Sequence, residues 1–385
     1  MPTAVIVDAI RTPMGRRNGN FADVHPVDLA AHTLSALVER NDLDPALVED
    51  VLMGCVMQVG EQAVNVGRNA ALAAGFPETT VGTTIDRQCG SSQQAAHFAA
   101  QGVMAGAYDV VIAAGVENMT RVPMGASMTG NGFPFGPKMT ERYPNLVPQG
   151  ISAELISEKW NVTRQDNDAF SVESHLRAAR ATDEGRFENE IVPFTVTREG
   201  GAEEVITRDE GIRPDSSMET LAKLKPAFKP DGVVTAANSS QITDGASALL
   251  IMSEDKANEL GLTPRARFHT FALAGVDPVL MLTGPIPATT KVLDRAKMSL
   301  DQIDIIEINE AFAPVVLAWE KEHHPDMATV NVNGGAIALG HPLGCSGARL
   351  MTTMLNELER TGGRFGLQTM CEGGGMANAT IIERI

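Results

Sequence analysis

Sulfur is the first place to look for chemistry in these 385 residues. Cys55, Cys89, Cys345 and Cys371 lie far apart with no CxxC pair, which suits neither a zinc site nor a redox motif and leaves four free thiols in a reducing compartment. Cys55, inside the apolar run 51–56, reads as a small buried hydrophobe. Cys89 sits in DRQCGSSQQA at a strand-to-helix turn, where unpaired N–H groups and the positive helix end favour thiolate and make a nucleophile. Taken alone the signal is weak, because most buried cysteines are structural. His341 stands in NVNGGAIALGHPLGCSG, where so many glycines make sense if backbone must come close to a ligand. The other loop histidines, His25, His175, His269, His323 and His324, read as surface residues. Cys371 opens CEGGGMANA directly after a strand. Its triple glycine is either a plain flexible turn or a way to aim successive N–H groups at an oxyanion, with a second thiol beside it as acid and base. Asn309 follows a strand and either caps the next helix or joins the chemistry, and the two roles are compatible.

Those residues need elements to position them. Short apolar strands are expected at 4–7, 51–56, 110–114, 248–252, 303–308 and 365–370. A helix over 29–38 stops at Asn41 and Pro45, a second spans Gly90 to Gly106, and a third runs to Arg360. The order of loop, Cys89, helix, strand in the first half repeats in outline as a Gly- and Ser-containing loop at Gly340 to Gly347, a helix to Arg360 and a strand at 365–370 in the second. Between them the character changes, with Met, Pro and Gly dense up to Gly150 and two charged helical runs at 153–160 and 165–185. The expected organisation is a first half at 1–116, an inserted loop domain at 117–236, the remainder of the first half at 237–262, and a second half at 263–385, divided at the turn Gly261 to Pro264. The fold class is α/β, with mainly parallel sheets covered on both faces and a site where loops leave the carboxyl ends of strands.

A formal net charge of −17 repels nucleic acid and anionic membrane, so neither is an expected partner. The start of the chain carries Asp8 within its apolar stretch and reads as a strand rather than a signal peptide, and no window approaches a membrane span. The expected location is the cytoplasm.

RQCGSSQQA at 87–95, NEAFA at 309–313, GGAIALGHPLG at 334–344 and CEGGGMA at 371–377, joined by DAIRTPMGR at 8–16 and SSQITDGASA at 239–248, resemble the thiolase family over the whole chain. The resemblance implies a duplicated fold layered α-β-α-β-α, a loop domain over a CoA site, and a homodimer or homotetramer. It implies thiolytic cleavage of a 3-oxoacyl-CoA, or the reverse condensation, with CoA as co-substrate and no cofactor or metal. Cys89 would attack the 3-keto carbonyl, His341 would take its proton, Asn309 would position a water at the oxyanion, and Cys371 would protonate the departing enolate. The N–H groups of Cys89 and Gly373 would form a second oxyanion hole. Arg213, Thr220, Lys223, Ser240 and Phe312 would contact CoA, with Arg213 and Lys223 supplying the local positive charge that an acidic protein needs for a phosphate-bearing ligand. Their plainer reading is solvated surface charge.

Three departures from the family pattern stand out: Gly-Ser-Ser after Cys89, Ala377 where glycine is usual, and Pro148-Gln149 where short-chain biosynthetic members carry His-Met. The third leans toward a degradative enzyme with a bulkier acyl group. RQCGSSQQA and MLTGPIPAT look most like actinobacterial-type thiolases of steroid or other lipid breakdown. An acetoacetyl-CoA-forming enzyme is the alternative. A ketosynthase is disfavoured by the missing HGT motif, and a non-catalytic lipid- or CoA-binding protein by the presence of all three reactive residues.

Overall fold

The computed structural model describes residues 2–130 and 132–385. Its strands are β1 (Ala4–Arg11), β2 (Gly15–Arg16), β3 (Asp50–Gly54), β4 (Val81–Ile85), β5 (Val110–Asn118), β6 (Phe194–Thr197), β7 (Glu203–Ile206), β8 (Thr243–Ser253), β9 (Ala266–Gly275), β10 (Ile305–Ile308), β11 (Phe365–Glu372) and β12 (Met376–Arg384). The strand runs β1, β5 and β8 are buried at every residue, because successive side chains enter two different cores. Val5, Val7, Ile112, Ala114, Leu250 and Met252 face an outer core shared with the Pro26–Arg40 and Val66–Ala73 helices. Ala4, Ile6, Val111, Ala113, Leu249 and Ile251 face an inner one.

That inner core holds two helices, Ser91–Met104 and Ser346–Thr361, and also takes Phe268, Ile305 and Ile382 from the second half. The outer face of the second half packs Ile306, Ile308, Leu367, Ala379 and Ile381 against the helices Pro285–Ala296 and Ala313–His323. The layers therefore run α-β-α-β-α, in agreement with the expected class.

The duplication is explicit in the topology. The first half orders its strands β4-β3-β5-β8-β1. In the second half β10-β11-β12-β9 follows the same path, and a parallel bridge from Ile306 to Val330 stands where β4 stands in the first. Glu49 N–H bonds to Val110 O and Asp304 N–H to Phe365 O, each at the start of the central parallel pair. These bonds align β5 with β11 residue for residue, so Val116 corresponds to Cys371 and Glu117 to Glu372. The halves join where β1 meets β9 at Val5 and Ile6.

One expectation needs correction. The sheets are mixed rather than mainly parallel, since β8, β9 and β12 pair antiparallel with their neighbours and, among the described residues, only β3–β4, β3–β5 and β10–β11 are parallel strand pairs. Strands buried on both faces look the same in sequence whichever way their neighbours run.

Between β5 and β8 the chain forms helices Pro137–Arg142, Gln149–Lys159, Arg164–Asp183 and Met218–Ala222 and the small β6–β7 hairpin. Arg11, fully buried at the end of β1, ties part of this stretch to the sheet through bonds to Asp209 at 2.6 and 2.9 Å and to Glu190 at 2.7 Å. A fully buried guanidinium is tolerable only with such a complement of carboxylates.

Candidate active site

Cys89 lies between β4 and the Ser91–Met104 helix, on a turn whose preceding residue, Gln88, adopts the left-handed conformation at φ 50°. The turn is fixed by Ser91, whose hydroxyl donates to Gln88 O at 2.6 Å and accepts Arg87 N–H at 2.9 Å. The thiol is buried among Val56, Met57, Met119, Val122, Leu343 and Met370. At this sulfur the pull of the helix end is opposed by its surroundings. Burial, then the nearby Glu372 carboxylate, push Cys89 up to about 12, and only the backbone N–H groups of Cys89 and Gly373 pull it down. Those two N–H groups, which act on the sulfur itself, are the pair singled out as an oxyanion hole.

His341 is held from both sides. Its own N–H meets Thr243 Oγ1 at 3.1 Å, and Nδ1 lies 2.6 Å from Ser346 Oγ. Ser346 gives its single hydroxyl proton to Pro342 O at 2.8 Å, so its oxygen must accept from the ring and Nδ1 carries the hydrogen. Nε2 is then the acceptor, and it takes a long hydrogen bond from Asn309 Nδ2 at 3.4 Å. Burial, then the charge of Arg349, lower the imidazole to about 3, so it rests as a neutral base.

The glycines around His341 are held by close packing against other parts of the protein. A methyl on Gly335 would lie 2.3 Å from Glu310, one on Gly340 2.3 Å from Thr243, and one on Gly344 2.6 Å from the backbone of Gly54 and Cys55. Glu310 stitches this loop down by accepting from Ser174 at 2.6 Å, Asn331 at 2.9 Å and Ile337 N–H at 3.1 Å.

Asn309 is not a helix cap, because the helix begins at Ala313 with Phe312 at the cap position. Its N–H bonds to Thr369 O at 3.1 Å, and its Oδ1 is buried with no partner, free to accept from a water or substrate group. Cys371 lies inside β11 and not after it. Its thiol is fully buried and shifted upward by burial first, then by the charge of Cys89 and of Glu372, so the two sulfurs sense each other. Gly374 and Gly375 both adopt φ 83°, and a methyl on Gly373 would meet Gln88 Oε1 at 3.0 Å and Gln149 Nε2 at 3.3 Å. The glycines there are required by the turn.

Two family models divide the chain between them: "Thiolase, N-terminal domain" matches residues 4–255 and "Thiolase, C-terminal domain" residues 262–384. The chain belongs to the thiolase family. The steroid 3-ketoacyl-CoA thiolase FadA6 of Mycobacterium tuberculosis is 53% identical to it, with 100% of this chain and 95% of the relative covered. A 3-ketoacyl-CoA thiolase of Psychrobacter cryohalolentis is 50% identical, with 99% and 98% covered. The crystal structure of the Bacillus anthracis acetyl-CoA acetyltransferase superposes with a TM-score of 0.92 at 41% identity, covering 100% of this chain and 99% of that one.

In this thiolase the five residues matched to CoA contacts fall in two groups. Ser240 N–H bonds to Ala311 O at 2.9 Å and Ser239 bridges to Phe312, so Ser240 lies beside Phe312, in the segment that follows Asn309 and Glu310. Phe312 is buried and meets Phe228 edge-on at 5.8 Å between ring centres. Arg213, Thr220 and Lys223 lie in the segment around the Met218–Ala222 helix, which packs on Arg164–Asp183. Thr220 completes a capping box with Ser217, and Lys223 pairs with Glu219 at 2.9 Å, so part of the expected positive charge is already matched. His175 is buried rather than on the surface; it accepts Arg213 N–H at 3.1 Å and is lowered to about 4 by burial, then by Arg213.

Sequence reasoning missed Ser346 and Glu372 beside the candidate site, and marked Gln149 only through the Pro148-Gln149 departure from the family pattern. Ser346 could have been found from its place five residues after His341, at the start of a helix. Glu372 carried no signal beyond standing beside Cys371. Among the described residues no cluster of His, Cys, Asp and Glu could hold a metal ion, and no helix is long and apolar enough to cross a membrane.

Proposed function

We propose that this thiolase works degradatively, cleaving a 3-oxoacyl-CoA with CoA into acetyl-CoA and a shortened acyl-CoA. Cys89 attacks the 3-keto carbon while His341 Nε2 takes the thiol proton. The bond between carbons 2 and 3 then breaks, its electrons pass to the acetyl-CoA enolate, and Cys371 protonates carbon 2. The Cys371 thiolate removes the proton of an incoming CoA thiol, whose sulfur displaces Cys89 from the acyl carbonyl, and His341 returns the first proton. Asn309 and a water it holds serve the first oxyanion; the N–H groups of Cys89 and Gly373 serve the second.

The observation that carries this reading is the convergence on one sulfur of two backbone N–H groups and a second thiol from the other half of the fold. The proton and electron accounting closes on these residues, so the proposed cycle takes CoA as co-substrate and no cofactor. Neutral resting groups fit it, since both thiols are shifted up and the imidazole down.

Residues 117–236 form a loop domain over the CoA site in this reading, with Arg213, Thr220, Lys223, Ser240 and Phe312 as contacts, and CoA thioesters are the partners. The names of the relatives and Gln149 beside Gly373 favour a bulky acyl group, steroid-derived or fatty. A homodimer or homotetramer, with the half-exposed edge strand β4 as one pairing edge, and a cytoplasmic setting that keeps four thiols reduced complete the proposal. Incubation with a panel of 3-oxoacyl-CoA substrates and CoA, followed by intact-mass analysis and peptide mapping, tests it. An acyl adduct on Cys89 with release of acetyl-CoA is expected; an adduct elsewhere, or none with any substrate, overturns it.

A further inference from the structure

Glu372 follows Cys371 directly and is fully buried, yet neither carboxylate oxygen has a hydrogen-bond partner. In the β11–β12 ladder Glu372 pairs with Met376 and Met370 with Asn378, so Glu372 and Asn378 lie on one face, opposite that of Cys371. Both reach Gly90, the residue after the nucleophile. A methyl placed there would be 2.0 Å from Glu372 Oε1 and 2.9 Å from Asn378 Nδ2. Asn378 Nδ2 already donates to Gly90 O at 3.1 Å, which fixes the amide and leaves its Oδ1 buried and unpartnered.

A buried carboxylate with no donor costs several kcal/mol, whereas the protonated acid is neutral and carries one donor of its own. An unpartnered acceptor stands beside it. We propose that Glu372 is a positioning residue of the thiolase site: as a neutral acid it donates to Asn378 Oδ1, tying the Gly373–Gly375 turn to the Gly90 backbone and keeping Gly373 N–H aimed at Cys89. The charged and titratable groups that face it are Arg87 and Asp86 from the loop before the Ser91–Met104 helix, and the thiols of Cys89 and Cys371. Burial outweighs the pull of Arg87 and raises the carboxyl to about 8, so it is neutral at pH 7. Ionised, it would break the tie and set a negative charge against both thiolates.

The inference rests on Cys89 being the nucleophile, and its test includes a measurement that does not. Glu372→Ala is expected to lower kcat by about 10- to 100-fold with little change in KM, the scale of a displaced catalytic donor. Glu372→Gln, which keeps a donor for Asn378, is expected to recover most of that loss. It should also lack the fall in kcat that the wild type shows as pH rises through about 8. Difference infrared spectra of wild type against Glu372→Gln should show a protonated carboxyl stretch at pH 7, fading as pH rises. A Glu372→Gln pH profile that superimposes on the wild type, or no such band at pH 7, overturns the proposal. If Cys89 is not the nucleophile, the adduct survives in Cys89→Ala while the infrared band is untouched, so the two failures are told apart.

Discussion

Glu117 and Glu372 occupy corresponding places in the two halves, each near the end of the strand that follows a helix with a cysteine just before its start, and both are fully buried. Glu117 is saturated: it accepts from Val56 N–H at 2.9 Å, Met57 N–H at 3.0 Å, Gly344 N–H at 2.8 Å and Gln62 at 2.7 Å. Glu372 accepts from nothing. The thiols at the helix starts diverge in the same sense. Cys89 faces Gly373 N–H and a second sulfur, while Cys345 is pinned 3.3 Å from Ser247 Oγ in the interior; burial raises both to about 12. Both sulfurs lie at a helix start, Cys89 one residue before the cap Gly90 and Cys345 at the cap itself, and what stands in front of them differs. Duplication supplied two equivalent frames, and in this pair of positions one carboxylate is saturated by donors while the other has none.

Removing Cys89 tests that contrast most severely. Cys89→Ala should cut thiolysis by about 10⁴- to 10⁶-fold, the scale seen when a nucleophile is deleted, and abolish the acyl adduct in the mass spectrum. Residual turnover within tenfold of the wild type would place the chemistry elsewhere. Cys371→Ala should be more selective. Its counterpart in the first half is Val116, an inert side chain, so the variant restores the symmetry of the two strands. Cleavage of the 3-oxoacyl substrate should fall by about 10²- to 10⁴-fold, the usual worth of a positioned acid or base, while acylation of Cys89 by a ready-made thioester persists. Equal cleavage by variant and wild type would refute the assigned role.

How much of this was legible in the sequence follows from the same asymmetry. The apolar runs of β1, β3, β5, β8, β10 and β11 were found because strands buried on both faces are apolar at every position. Their direction was not, and β12 went unmarked because its polar Asn378, Thr380 and Glu383 interrupt the run while being buried in the fold. The motif cysteines and His341 were readable as candidates. Their protonation was not: charge state depends on burial by residues hundreds of positions away, such as Met370 around Cys89. Capping stayed open for Asn309 beside a part in the chemistry, because position after a strand cannot distinguish the first turn of a helix from a loop four residues short of it. Glu372 was invisible for a simpler reason, since which face of a strand meets Gly90 is set by the whole packing of β11 and β12.

The carboxylates themselves give the next test, through stability. Glu117→Gln puts an amide donor against donors and should cost about 1–3 kcal/mol in denaturant unfolding, the penalty for a spoiled buried hydrogen-bonding group. Glu372→Gln should behave oppositely, with a sign set by pH. The folded-state carboxyl is raised from 4.5 to about 8, so the wild type holds this proton where the unfolded chain has lost it. Its stability contribution is therefore present at low pH and declines between pH 4.5 and about 8. The variant should match the wild type near pH 4 and overtake it progressively up to about pH 8, with a constant difference above. A pH-independent difference would mean that Glu372 is already ionised in the fold.

The smallest effect belongs to Cys345, and it is the one that isolates the helix terminus from everything else. Cys345→Ala removes a sulfur from a fully buried position, so a cost of about 1 kcal/mol from lost contact is expected in unfolding measurements. Ser247 keeps its bond to Cys345 O at 2.8 Å, because that acceptor is backbone and survives the substitution. His341 keeps Ser346 and Thr243, neither of which depends on the Cys345 side chain. Turnover should therefore stay within about twofold of the wild type, well under the tenfold that 1.4 kcal/mol of barrier represents. A drop comparable to that of Cys371→Ala would show that a thiol at a helix start matters to the reaction even when no oxyanion donor faces it, and the distinction drawn between the two halves would fail.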